Sequence, residues 1–159
     1  MSFGRRLAIV ALVAMFVAAI PAAALATFDN PGTGTQGYWK NHPDAWPVET
    51  ISVGGVLYTK DAAIAIMKTP GKGDKTYDLF RQVVAAKLNV KIGNEPCVDW
   101  AIYYTDRWFG APLDLPNPHD NTLGSGVKGN SDQWKYWGSD YHEVLDDYNN
   151  GRLCAPHRD

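Results

Sequence analysis

Cysteine is scarce in this chain of 159 residues: only Cys97 and Cys154 are present, and no Cys-x-x-Cys spacing exists to support thiol redox chemistry. Other reactive signatures are missing too. No Gly-x-Ser-x-Gly elbow presents a nucleophilic serine. The run Pro70-Gly71-Lys72-Gly73 lacks the spacing of a phosphate-binding loop. The four histidines, His42, His119, His142 and His157, are dispersed without a His-x-x-x-His pair, so the usual zinc spacings are absent. Basic residues are scattered rather than clustered, which argues against a nucleic-acid partner, since that needs a concentrated positive face. There is no internal repeat, and after the first 26 residues no long apolar run, so no later membrane span is expected.

What is present begins with an address. Arg5 and Arg6 form a positive n-region, Leu7 to Ile20 is an unbroken apolar run, and Ala24-Leu25-Ala26 is a small-x-small cleavage site. Residues 1–26 therefore read as a secretory signal peptide, with the Arg-Arg pair leaving twin-arginine export open beside the general route. No cysteine follows the apolar run to carry a lipid anchor. Cleavage removes Arg5 and Arg6 and takes the formal charge from −2 to −4. The expectation is a secreted or periplasmic protein with a loose lead-in over 27–34 and one globular domain over 35–159. In an oxidising compartment Cys97 and Cys154 read as a disulfide tying the tail to the middle of the domain.

The densest segment is Thr35 to Pro47, TQGYWKNHPDAWP. Pro43 and Pro47 fix their own φ and push His42 and Trp46 toward extended geometry, so at most one short turn fits between them. Tyr38, Trp39 and Trp46 each combine an apolar body with one polar atom. Two readings compete: a loop pinned to the core by its rings, or an exposed aromatic shelf with His42 and Asp44 reaching a ligand. This string resembles the signature of a family of secreted, mostly bacterial proteins without an assigned biochemical role. Val53 to Lys60, Val83 to Val90 and Leu145 to Gly151 fit the same resemblance. It implies export and a single compact domain. Members of that family often carry a cysteine just ahead of the motif; Gly32-Thr33-Gly34 has none, so packing must hold that end here.

Further along, Ile51-Ser52-Val53 and Val56-Leu57-Tyr58 flank Gly54-Gly55, a hairpin pattern. A short helix is expected over Asp61–Met67 with Thr59 as cap. A second, capped by Asp74 or Thr76, carries the stripe Tyr77, Phe80, Val84, Leu88, leaving Asp78, Arg81 and Lys87 to solvent. Asn94-Glu95-Pro96 reads as the start of a third helix over Cys97–Phe109, apolar around its girth and expected at the centre of the core with Trp100, Tyr104 and Trp108 inside. Ala111 to Asn130 is a long polar loop. The last helix, capped by Ser131 or Ser139 and stopped at Gly151, buries Tyr141, Leu145 and Tyr148.

The fold class is therefore mostly α, three to four helices with a short β-hairpin and one disulfide. Six tryptophans and eight tyrosines exceed what such a core requires. Tyr38, Trp39, Lys40, Asn41, His42, Trp46, Trp134 and Trp137 are the candidate ligand-binding residues of a non-enzymatic binding module facing a glycan, a peptide or a cell-surface protein. The alternative is an extracytoplasmic hydrolase using His42, Asp44 and Glu143. Asp99, Asp106 and Asp146 are further carboxylates with no spacing that singles out a pair. No cofactor is required; the candidate metal is calcium, on Asp114, Asn117, Asp120 and Asn121, without the glycine-punctuated spacing of an EF-hand. Oligomeric state is not encoded in any of these patterns.

Overall fold

The computed structural model describes residues 28–110 and 121–158. The expected signal peptide and the calcium candidates Asp114, Asn117 and Asp120, with His119, lie outside the described residues. Chain order is α1 (Gln36–Asn41), a 3-10 turn (Pro43–Ala45), β1 (Thr50–Val53), β2 (Val56–Thr59), α2 (Lys60–Lys68), α3 (Lys75–Lys91), α4 (Asp99–Trp108), a π-helical turn (Trp134–Gly138) and α5 (Ser139–Asn149). The mostly helical class, the hairpin and the disulfide are all present. Among the described residues, no helix is long and apolar enough to cross a membrane.

The central element is α3, not the expected Cys97–Phe109 helix. Asp74 caps it by accepting from the Thr76 N–H, and α1, α2, α4, α5 and β1 all pack around it. Leu79, Phe80, Val83, Val84, Ala85, Ala86 and Leu88 are wholly buried, each large side chain contributing roughly 1.5–3 kcal/mol. Two of its charged residues serve neighbouring elements. Arg81 donates to the Met67 and Thr69 carbonyls, capping the end of α2. Lys87 pairs with Asp106 at 2.6 Å and donates to the Ser52 carbonyl.

The hairpin pairs Ile51 with Tyr58 and Val53 with Val56 around Gly54-Gly55. Both glycines have positive φ, 60° and 80°, the demand of a two-residue type I′ turn. β1 sends Ile51 and Val53 inward, and Asp106 accepts from the Gly54 N–H, fixing the turn to α4.

α4 starts later than expected because Asn94 is not its cap. The Asn94 carboxamide instead accepts from the Gly32 N–H and donates to the Gly32 and Asn89 carbonyls. The helix runs from Asp99 with no side-chain cap, and Val98, Ala101, Thr105 and Trp108 form its buried side. Trp100 and Tyr104, expected in the core, are therefore turned outward.

Residues 30–34 are not a loose lead-in. Gly32, Thr33 and Gly34 are buried, held from one side by side-chain amides and from the other by the tail. Asn89 accepts from the Gly34 N–H (2.7 Å) and the Trp39 Nε1–H (3.0 Å), and donates to the Gly34 carbonyl (2.9 Å) and Asn149 Oδ1 (2.8 Å). Asn149 in turn donates to the Gln82 carbonyl and side-chain oxygen, and Gln82 donates to Asp146. On the opposite edge, Thr33 N–H donates to the Pro156 carbonyl and Arg158 N–H to the Thr33 carbonyl, a parallel bridge.

The second half of the chain closes largely as expected, except that Tyr141 is only partly buried, its ring stacking on Tyr104 near the surface rather than entering the core. Ser131 accepts from the Trp134 N–H and opens the last helical stretch; the Ser139 hydroxyl donates back to the Lys135 carbonyl and caps nothing. Leu145 and Tyr148 are wholly buried. α5 ends where Gly151 N–H donates to the Tyr148 carbonyl and Arg152 N–H to the Asp147 carbonyl, a Schellman motif with Gly151 at φ 68°. Cys97 and Cys154 are bonded.

Asn89→Ala strips four buried hydrogen bonds and should lower the unfolding free energy by about 3 kcal/mol or more in a denaturant titration. The exposed Asn41→Ala should stay within about 0.5 kcal/mol. Reducing the disulfide, which closes a loop 57 residues long, should cost up to about 4 kcal/mol in the same assay.

Candidate functional site

The motif rings are anchors, not a shelf. Thr35 caps α1 by accepting from the Tyr38 N–H, and the six-residue helix swings Trp39 fully inside, where its indole N–H reaches Asn89. Trp46 is also buried, its Nε1–H donating to the Trp39 carbonyl at 2.9 Å. Each indole has spent its polar atom on the protein, which corrects the assignment of Trp39 and Trp46 to ligand contact. Tyr38 is half-buried between His42, stacked at 4.3 Å, and the Arg158 guanidinium, 4.5 Å above the ring. His42 Nδ1 lies 2.8 Å from the Tyr38 carbonyl. Lys40, Asn41 and Asp44 make no side-chain hydrogen bond among the described residues, so they do not serve the turn as the pinned-loop reading expected.

The alternative catalytic set is not assembled. His42 sits at the end of α1, Asp44 in the 3-10 turn and Glu143 on α5; all three are exposed, and no hydrogen bond or ion pair links them among the described residues. Asp106 and Asp146 are committed to structure, the first to Lys87 and the Gly54 N–H, the second to Gln82 and Arg152. Among the described residues, no group of three or more His, Cys, Asp or Glu side chains could hold a metal ion. Asn121, the one calcium candidate described, is buried, with its N–H donating to the Trp108 carbonyl.

Exposed rings gather instead on α4 and the helical stretch ahead of and within α5. Trp100, Tyr103 and Tyr104, at i, i+3 and i+4, share the outer face of α4 and are 50%, 48% and 47% exposed. Tyr103 meets Tyr104 edge-on at 5.2 Å, and Tyr104 stacks on Tyr141 of α5 at 6.1 Å with planes 10° apart. One turn ahead of Tyr141 stands Trp137, 44% exposed, beside the more exposed Tyr136. The π-helical turn explains this division of rings. Its wider winding sends Trp134 inward, against Gly138 and Trp108, while Tyr136 and Trp137 face out. Of the residues expected to bind, Trp137 joins this surface and Trp134 does not. The misleading pattern is the apolar coverage around α4: aromatic residues at helical spacing can face the core or water, and the packing of Ala101, Thr105 and Trp108 against the core decides which.

Burial pushes the Tyr141 phenol pKa up, with Tyr104 and Asp140 adding to the rise and Arg107 opposing it. This phenol stays a hydrogen-bond donor at neutral pH. Comparison with family models, with curated proteins and with solved structures finds no match.

His142, on the same helix, lies against the edge of Trp134 at 5.8 Å. Its pKa is lowered, mainly by burial, with Lys75 adding to the fall and Asp146, Asp78 and Glu143 opposing it. The unfolded chain therefore binds a proton more readily than the fold. The stability contribution is complete above the ordinary value of 6.5 and is lost as pH falls from there to the depressed folded value. In melts across this range, His142→Gln should flatten the decline below pH 6.5.

Proposed function

We propose that this protein is an exported, non-enzymatic binding module that engages a glycan through the aromatic row Trp100, Tyr103, Tyr104, Tyr141 and Trp137. The observation that carries the reading is that Trp100, Tyr103 and Tyr104 stand half-exposed on one helical face that continues by ring stacking onto α5. Monomeric proteins seldom leave contiguous apolar surface uncovered without an interaction to serve. A sugar ring offers a flat C–H face and a rim of hydroxyls. An exposed indole or phenol offers a matching flat, electron-rich face with one polar atom at its edge. The row contains rings and no large exposed aliphatic side chain, and Arg107 lies one turn beyond Tyr103 and Tyr104 on α4. The disulfide suits an oxidising compartment outside the cytoplasm, where glycans are displayed.

Binding to a glycan array, confirmed by titration calorimetry, tests this. Trp100→Ala and Tyr104→Ala should weaken binding about tenfold or more while changing stability by no more than about 0.5 kcal/mol. Trp39→Ala should instead cost about 3–5 kcal/mol of stability, because it empties a core position. Retained binding by the Trp100 and Tyr104 variants, or turnover of a glycan or peptide that is lost in His42→Ala, would overturn the proposal.

A further inference from the structure

A separate cleft of about 290 Å³ opens between β1, α3 and α4, lined by Ile51, Ser52, Lys87, Val90, Lys91, Asp99 and Ile102. We propose that it binds a short zwitterionic peptide with an aliphatic side chain, the carboxylate at Lys91 and the ammonium at Asp99. The volume is at the small end of ligand pockets, matched to one or two residues rather than a long chain.

Charge balance selects the ligand. Lys87 is neutralised inside the wall by Asp106, at 2.6 Å, and is held further by the Ser52 carbonyl. Two charges remain. Lys91 ends α3, Asp99 begins α4, and neither side chain has a hydrogen bond or ion pair among the described residues. They do not neutralise each other, yet both face the same cleft. A polyanion would meet Asp99 and a polycation would meet Lys91, whereas a ligand with one charge of each sign meets complements at both ends. The apolar lining is Ile51, Val90 and Ile102, with no ring to stack on a sugar, so an aliphatic body is the matching filler.

The backbone that carries the two charges is held in place. Residues 92–98, which join them, are held by the Asn94 carboxamide, by Tyr148 Oη donating to the Glu95 carbonyl at 2.9 Å and by the Cys97–Cys154 bond. With the backbone held, only the two side chains have to be ordered on binding, which lowers the cost relative to charges on a free loop. None of these residues belongs to the aromatic row, so this site stands or falls independently of glycan binding.

The test is an NMR amide-shift titration of the full exported chain with Ala-Leu, N-acetyl-Ala-Leu and Ala-Leu-amide. Ala-Leu should shift the signals of Ser52, Lys91 and Ile102 and saturate with a dissociation constant near millimolar. Each capped form should bind roughly threefold to fivefold more weakly, the size of one exposed charge pair. Lys91→Gln should erase the preference for the free acid over the amide and keep the preference for the free amine. Asp99→Asn should do the reverse. Absence of shifts at the cleft, equal binding of capped and uncapped peptides by the unmodified protein, or preferences that survive both substitutions would overturn the proposal. The capped-peptide comparison needs no variant, so it decides the matter even where a substitution prevents folding.

Discussion

The carboxamide of Asn89 is the interaction on which this structure turns. It lies in the last turn of the central helix, fully buried, and all four of its hydrogen-bonding positions are used. Through them it grips the backbone of Gly34 as a neighbouring strand would, fixes the Trp39 indole and meets Asn149 of the last helix. A buried amide with one missing partner is costly, whereas a complete set favours a single arrangement over nearby alternatives. The aromatic motif, the lead-in and α5 are thus specified by one side chain rather than by apolar packing alone.

The rest of the frame is closed from the outside. The tail at 156–158 pairs along the other edge of Thr33, the disulfide joins the segment before α4 to the segment after α5, and Tyr148 adds a hydrogen bond to Glu95 at the same junction. These contacts hold the segment that leads into α4, and Ala101, Thr105 and Trp108 seat the helix on the core with its outer rings outside. The aromatic row is therefore a consequence of how α4 is held. Its inner positions are taken by the small residues Ala101 and Thr105, with Val98 and Trp108 at the ends.

Signals in the sequence are legible where they are local in physics. The Gly54-Gly55 turn, the Thr59 and Asp74 caps, the Gly151 stop and the pairing of the two cysteines depend on a few neighbouring atoms and recur in the structure. Sequence misleads where a residue has a local role on offer and takes a distant one. Asn94 looks like a helix cap but binds Gly32, 62 residues away. Arg81 and Lys87 look like solvent-facing charges on an amphipathic helix but terminate α2 and fasten the hairpin. Residues Gly32 to Gly34 look like a loose leader because a short glycine-rich stretch shows no periodicity, and nothing short of the fold reveals that two asparagines wait for it. The same limit applies to function: tryptophan count signals surplus rings, but only the face that α4 turns to the core identifies which of them reach solvent.

That central amide also sets an order of events. Its partners span the chain, from Gly34 near one end to Asn149 near the other, and the tail strand is completed only at Arg158. A ribosome that has delivered the motif, the hairpin and even α3 has not yet supplied what closes them. The network that fixes the motif is complete only once the last helix and the tail have been added, so the first third of the chain draws its final form from the last.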